Sequence, residues 1–459
     1  MNALLTISHV IFPMITFPYY SRVLGAEGTG SVGFALAVVS YFTMVASLGV
    51  PTYGIRACAK VRDDKEKLSQ TVQELLIING ITTAIMYVAY FLAIAIVPRF
   101  AQEKEILTMV SISIVLNTMG ISWLYSALER YSYITLCTVI FKIIGVVLMF
   151  VFVRSPGDYI IYGGISAIAN YGSGILNFFN MRKYISLKKT GPYDFKQHIG
   201  PIFTFFMMSA SISIYTNLDK VMLGFMKTNT DVGYYDASVK IKTILVNVVT
   251  SLGTVLLPRM SFYIEKGEKE AFRRTVTKAF RFVIVAASSL MIFFIIFARE
   301  SILAISGEEF LPAVFPMQLL MITLLLIGLS ILWGAAVDFV LNLILIPNYA
   351  SSGAAFATVM AELVVLVVQC IYLRDILAGL MKDIDLKKIL IALVCAGIAG
   401  VLLHININMQ SASLIMALAV LAGEAVVFFG IYGGLLLLMK EPIVMEILDM
   451  GISMIRRKK

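Results

Sequence analysis

The sequence predicts an all-α membrane protein of many spans, and three observations carry that prediction. Of its 459 residues 59% are hydrophobic and 14% charged, and the mean hydropathy is +0.89, far too apolar for an ordinary soluble protein. Apolar segments of about 20 residues, enough to cross a hydrocarbon core, recur along nearly the whole chain and leave no stretch for a soluble domain. These segments are continuously apolar rather than alternating, which selects helices over a barrel. The third observation is charge placement: 27 of the 37 Lys and Arg fall in alternate loops and the C-terminal tail. Those loops and the C-terminus are therefore predicted to be cytoplasmic, and the net charge of +9 reflects topology rather than nucleic-acid binding.

The hydropathy pattern places spans at 3–21, 30–53, 71–97, 106–127, 132–153 and 159–181, then at 199–226, 233–258, 278–298, 313–346, 352–373, 387–404 and 412–438. The first segment has no basic leader and no small-residue cleavage site, so a retained span is expected. Pro13, Pro18, Gly49 and Pro51 supply bends, either for opening or as static kinks. Residues 182–198, with Lys188, Lys189, Gly191 and Pro192, form a basic linker. The resulting domains are an N-terminal six-helix lobe at 1–181, the linker at 182–198, a C-terminal lobe at 199–373, and a terminal helix pair with a basic tail at 374–459.

The halves echo one another weakly. Arg22-Val23-Leu24-Gly25 followed by Val32-Gly33-Phe34 parallels Lys220-Val221-Met222-Leu223-Gly224 followed by Val232-Gly233-Tyr234. Six spans per half give both halves one orientation, as in parallel repeats. Residues 313–346 break the pattern, because 34 residues of helix would reach roughly 51 Å against a core of about 30 Å. Charge on either side requires this segment to cross twice or not at all. Two short helices turning near residues 331–334 are expected, with a re-entrant or disordered insertion as the alternative.

Cys58, Cys137, Cys370 and Cys395 show no paired spacing, with Cys58 expected in a cytoplasmic loop and the others in apolar helices. His9, His198 and His404 are isolated in sequence and suggest no metal site or catalytic base. No phosphate-binding G-x-x-x-x-G-K-[ST] loop is present, so nucleotide hydrolysis by this chain is not expected.

The long motifs resemble the Wzx-type polysaccharide and O-antigen repeat-unit flippases, in the polysaccharide transport family of the MOP exporter superfamily. They comprise Phe12-Pro13-Met14-Ile15-Thr16-Phe17-Pro18-Tyr19 with Ser21-Arg22-Val23-Leu24-Gly25, and Leu48-Gly49-Val50-Pro51-Thr52-Tyr53-Gly54-Ile55-Arg56 after Tyr41-Phe42. Further along come Tyr215-Thr216-Asn217-Leu218-Asp219-Lys220-Val221-Met222-Leu223-Gly224, Gly233-Tyr234-Tyr235-Asp236, residues 251–261 and Asn342-Leu343-Ile344-Leu345-Ile346-Pro347. The resemblance implies a MOP/MATE-like fold of about 14 spans in two pseudo-symmetric six-helix lobes plus a terminal helix pair. It also implies a cell (inner/plasma) membrane flippase that moves undecaprenyl-diphosphate-linked oligosaccharide to the outer leaflet by alternating access. A polysaccharide polymerase and a chain-length regulator are the protein partners it suggests, with no cofactor. Two departures stand out: the family carries more residues before the first span, and the family's basic turn between the tenth and eleventh spans is nearly absent at residues 330–334. An internal deletion of about twenty residues would account for the second.

Charged residues inside apolar helices mark the candidate pathway, since a charge at membrane depth is costly and usually faces a partner or water. The candidates are Lys142, Asp219, Lys220, Asp236, Lys240 and Lys242. Cations suit a diphosphate. Other readings stand beside this one. Asp236 and Lys240 can neutralise each other at i,i+4, Lys242 can snorkel, and Lys142 can make a plain interhelical hydrogen bond. Asp219 and Lys220, about 100° apart on a helix, are expected not to face the same neighbour. Arg22 reads as an interfacial anchor, Glu362 as interhelical, Glu424 as packing of the last pair, and Asp338 as displaced by the deletion. Competing functions are a drug/cation antiporter of the same superfamily, a membrane-embedded glycosyltransferase or polymerase, and an inactive truncated flippase. The short outer loops argue against the enzyme, and the lysines argue against the antiporter.

Overall fold

The computed structural model describes residues 2–326 apart from 190 and 267, residues 385–406 and 414–445, and scattered positions within 345–371 and at 448. The expectations on Asp338, Glu362, Cys370, the 330–334 junction and most of 327–384 lie outside the described residues. Among the described residues the secondary structure is helical throughout, and eight helices are long and apolar enough to cross a membrane, or nine if the bent pair Lys196–Ala210 and Ile212–Met226 is one span. The polytopic all-α prediction holds.

Two compact units divide the chain, residues 1–236 with 342–350, and residues 237–341 with 351–459.

The first unit opens with α1 (Asn2–Ser47), interrupted at Gly25, whose φ of 67° and ψ of −177° are non-helical. Such a backbone suits glycine, and it splits α1 into two runs. A second break follows at Leu48 and Gly49, both with positive φ, before α2 (Val50–Lys60) starts with Pro51 in its first turn. Of the four candidate bend residues, Gly49 sits at this break, whereas Pro13 and Pro18 lie within α1. Asp64 caps α3 (Lys65–Ile96), its carboxylate accepting from the backbone N–H groups of Glu66 and Lys67. Four short helices follow, α4 (Pro98–Gln102), α5 (Lys104–Val110), α6 (Ile112–Met119) and α7 (Ser122–Ala127). Next come α8 (Tyr131–Phe152), α9 (Tyr159–Tyr171), α10 (Ser173–Asn180) and α11 (Lys196–Met226). Helix α12 (Asn229–Glu265) begins in this unit and enters the second after Asp236.

Polar side chains bind these helices together where apolar packing alone gives little preference in lipid. Tyr90 donates to the Leu107 carbonyl at 2.8 Å, Tyr125 to the Asn177 carbonyl at 2.6 Å, and Asn177 to the Gly120 carbonyl at 2.7 Å. Cys58, expected in a loop, instead lies fully buried in α2 within a cluster of Val50, Leu68, Val72, Leu75 and Trp123. The run around it is more polar than a span, but the small thiol fits the inward face of the helix. The described cysteines are free thiols.

The basic linker is folded onto α3. Gln73 donates to the carbonyls of Ser186 and Lys188 at 2.6 and 3.0 Å, and Glu74 accepts from the Asp194 amide at 2.8 Å. His198, isolated in sequence, sits buried between the Glu74 carboxylate at 2.7 Å and the Tyr53 hydroxyl at 2.8 Å.

In the second unit α13 (Lys269–Ile296) leads into α14 (Ala298–Ile305), then α15 (Val314–Leu326), α16 (Leu386–Asn406) and α17 (Leu414–Leu438). Phe293 and Phe297 pack with Ala392, Ala396, Phe428 and Tyr432, so the terminal pair α16 and α17 docks on α13 and α14. Tyr432 fixes that docking by donating to the Val285 carbonyl at 3.1 Å.

Candidate functional site

The site is built on one seam of the first unit, where the second run of α1 lies antiparallel to α11. Gly33 stands beside Asp236, Phe34 fills the space at Gly224, Tyr41 donates to the Ile214 carbonyl at 3.4 Å, and Gly49 meets Ile202 and Phe206. Gly30 and Gly233 permit the close approach of α1 to the start of α12, since a Cβ on either would strike backbone. The seam has three layers.

At the Gly49 end is a cleft of about 280 Å³, lined among others by Ser40, Thr43, Ser47, Asn117, Ser209 and Ser213. On α1 each hydroxyl donates to its own helix: Ser40 to the Ala37 carbonyl at 2.7 Å, Thr43 to Val39 at 2.8 Å and Ser47 to Thr43 at 2.8 Å. Their hydroxyl hydrogens are thereby committed, and oxygen lone pairs remain as acceptors. Asn117 donates to Ser47 Oγ at 2.7 Å. Such a surface is polar without net charge and suits ligands rich in hydroxyl donors.

The middle layer holds the charges. Lys220 on α11 ion-pairs with Asp236 on α12, and Tyr235 donates its hydroxyl to Asp219. Asp219, Tyr235 and Asp236 are all buried, and the Lys220 side chain is 15% exposed. This corrects the expectation that adjacent Asp219 and Lys220 cannot face one neighbour. Both reach α12, because Tyr235 and Asp236 are themselves adjacent, so the two pairs straddle the contact line of the antiparallel hairpin. Asp236 therefore has a partner on α11 besides the Lys240 weighed for it in sequence.

The Arg99 end is closed by a polar clasp. Arg99 donates to the Gly224 carbonyl at 2.6 Å, bonds Asn229, lies 3.2 Å from Glu103, and stacks over Phe34 at 5.0 Å. Asn229 in turn donates to Ser31 Oγ at 2.7 Å and to Glu103 at 2.5 Å. One Arg, one Glu and one Asn thus tie α1, α4, the α4–α5 junction, α11 and α12 together.

Of the predicted residues, Asp219, Lys220 and Asp236 come together in this site. Lys142 is buried on α8 with its ammonium 5.7 Å from the Phe12 ring, and Lys240 and Lys242 lie half-buried on α12 in the second unit. The hydroxyl cleft and the clasp are additions from the structure. Ser40, Thr43 and Ser47 recur at helical spacing on one face of an otherwise apolar run, and Ser209 and Ser213 do the same on α11; that spacing is the signal for the cleft.

A many-helix membrane protein with a polar seam that buries an ion pair and a hydrogen-bonded carboxylate fits the transporter class. The family described as "Polysaccharide biosynthesis protein" matches residues 1–264, more than half of the chain, and the chain belongs to it. Two curated relatives are each named "Putative O-antigen transporter". That of Escherichia coli (strain K12) is 25% identical over 256 residues, 55% of this chain and 62% of its own length. That of Shigella dysenteriae is 24% identical over 268 residues, 55% of this chain and 64% of its own length. The match thus spans under two thirds of each relative. Among solved structures, "Lipid II flippase MurJ, inward closed conformation" superposes with a TM-score of 0.71 over 96% of this chain and 99% of its own, at 14% identity, a likeness of fold.

Proposed function

We propose that this protein is a flippase that carries undecaprenyl-diphosphate-linked oligosaccharide repeat units across the cytoplasmic membrane by alternating access, without covalent catalysis. The observation that carries this reading is the layered seam of the first unit, a hydroxyl-lined cleft below a charged layer and a closed clasp. Family membership and the transporter names of the relatives support it.

Arg56, Lys60, Arg62, Lys65 and Lys67, clustered where α2 passes into α3, support a cytoplasmic Gly49 end by the positive-inside bias. The Arg99 clasp then closes the outer side. Sugar hydroxyls donate to the acceptor oxygens of the cleft. From Ser213 to Lys220 α11 rises roughly 10 Å, which separates the saccharide from the diphosphate. An arriving phosphate competes with Asp236 for Lys220, exchanging one charge-assisted contact for another, so the Lys220 ammonium keeps a counter-ion when the pathway is empty. Lys142 in the first unit, and Lys240 and Lys242 in the second, are further candidate substrate-contacting cations, each within its own unit. The six-helix lobes at 1–181 and 199–373, the linker at 182–198, the terminal pair at 374–459 and the cytoplasmic C-terminus belong to the same proposal, as do a polymerase and a chain-length regulator as partners. An ion gradient or consumption of the flipped lipid supplies the drive.

The test is expression in a host deleted for its own repeat-unit flippase and supplied with matching glycosyltransferases. Restored surface polysaccharide, lost on Lys220→Ala at equal protein level, is expected. Intracellular accumulation of lipid-linked repeat units with wild-type protein present in the membrane would sink the proposal.

A further inference from the structure

The second unit holds a cluster that the substrate seam does not use. Glu300 on α14, His404 at the end of α16 and Glu424 on α17 present ligand atoms that all lie within 4.8 Å of one another. Glu300 and Glu424 are each 1% exposed, and the half-buried His404 side chain gives access from outside.

The cluster is not a finished hydrogen-bond network. His404 Nδ1 lies 3.1 Å from Glu300 Oε1, but the approach is off the axis that a directed hydrogen bond needs. Among the described residues, Glu300 Oε2 and both oxygens of Glu424 have no hydrogen-bond partner. Two carboxylates buried this deeply, each with an oxygen in the same small cluster, carry a desolvation cost that a single half-exposed imidazole does not repay. Phe297 lies edge-on to the imidazole at 6.3 Å between ring centroids.

We infer that Glu300, His404 and Glu424 form a binding site for one divalent first-row transition metal ion, with Zn²⁺ the best fit. Two carboxylates balance a dication while the imidazole stays neutral, so the ion removes the net charge from the buried layer. The imidazole nitrogen in a set with two carboxylate oxygens favours a transition metal ion over a purely oxygen-seeking ion such as Mg²⁺. Metal–ligand bonds of about 2.0–2.2 Å require tetrahedral ligands roughly 3.4 Å apart. The His404 Nδ1–Glu300 Oε1 separation of 3.1 Å already meets that spacing, and every pair in the cluster lies within 4.8 Å. Because the three ligands come from three helices, the ion would fasten the terminal pair to α14. The inference concerns the second unit alone and does not depend on which substrate the seam carries.

The test uses the full chain, purified in detergent with any histidine tag removed and stripped with EDTA. It is titrated with Co²⁺, whose visible d–d absorption reports tetrahedral nitrogen and oxygen ligation, and then with Zn²⁺. One Co²⁺ per chain is expected, displaced by one equivalent of Zn²⁺, with a saturable rise in Tm and no thiolate-to-cobalt band in the ultraviolet. Glu424→Gln and His404→Phe should each weaken Co²⁺ binding at least ten-fold while eluting as the wild type does. Failure of the wild-type chain to bind Co²⁺ or Zn²⁺ at micromolar concentration overturns the site and leaves a proton shared between the carboxylates as the neutralising device. Unchanged affinity in both variants overturns it equally.

Discussion

Lys220 and Asp236 form a buried ion pair across the α11–α12 hairpin, with side chains 15% and 5% exposed. The neighbouring Asp219 and Tyr235 repeat the connection one residue earlier on each helix. Removing one partner of a buried pair leaves an uncompensated charge, which costs about 3–5 kcal/mol. Lys220→Met or Asp236→Leu alone should therefore lower the thermal stability of the purified protein markedly, while the double variant should recover most of it. Transport should stay low in all three, because the cation is gone or the pair is unbalanced. Full transport by the double variant would show that the pair serves packing only.

The clasp predicts a reversible lock. Ser31 and Asn229 touch at 2.7 Å between α1 and α12. In a background lacking the native cysteines, Ser31→Cys with Asn229→Cys should cross-link on mild oxidation and abolish transport, and a reductant should restore it. Quantitative cross-linking with undiminished transport would mean that this end of the seam need not open.

Gly49 predicts a backbone-limited position. Its φ is +74°, and a Cβ there would lie 2.5 Å from the Phe206 amide nitrogen and 2.7 Å from the Ile202 carbonyl oxygen. A side chain in the left-handed region costs on the order of 1–3 kcal/mol before any steric term. Gly49→Ala should lower both Tm and transport, whereas Gly80→Ala, with nothing within 4 Å, should change neither. Equal behaviour of the two variants would refute the close approach.

A pH dependence follows at the α8–α9 turn, outside the spans. The amides of Arg154 and Ser155, with the Ser155 hydroxyl, hold the Asp158 carboxyl below its ordinary value. A depressed folded pKa means that this turn is fully supported above the unfolded value of about 3.9 and loses support as pH falls through the lower, folded value. Hydrogen exchange at the Ser155 amide should show constant protection from neutrality down to about pH 4 and a loss below it. Asp158→Asn should lower protection at neutral pH and remove most of the pH dependence. A wild-type amide already unprotected at neutral pH would contradict the capping geometry.

Much of this fold is readable in the sequence, because a lipid solvent imposes a simple rule of long apolar helices separated by loops of biased charge. Asp219, Lys220 and Asp236 are legible for the same reason, as ionised residues stand out in apolar helices. Their pairing is not, since it depends on the hairpin register that sets Lys220 opposite Asp236. Serine and threonine are ordinary in membrane helices, so the cleft emerges only when α1, α6 and α11 are brought together. The Glu300, His404 and Glu424 cluster and the Tyr53, His198 and Glu74 contact join residues far apart in the chain, which no local pattern records. Cys58 escapes for the opposite reason, a buried position in a segment whose basic neighbours read as loop.

The most direct measurement is translocation itself, in proteoliposomes containing the purified chain and a lipid-diphosphate oligosaccharide whose sugars are accessible to an added glycosidase only from outside. Time-dependent exposure of sugars initially on the inner leaflet is the predicted result, with Lys220→Ala and the oxidised Ser31→Cys, Asn229→Cys pair inactive. Exposure no faster than in protein-free liposomes, from protein that is folded and correctly inserted, would contradict the flippase assignment.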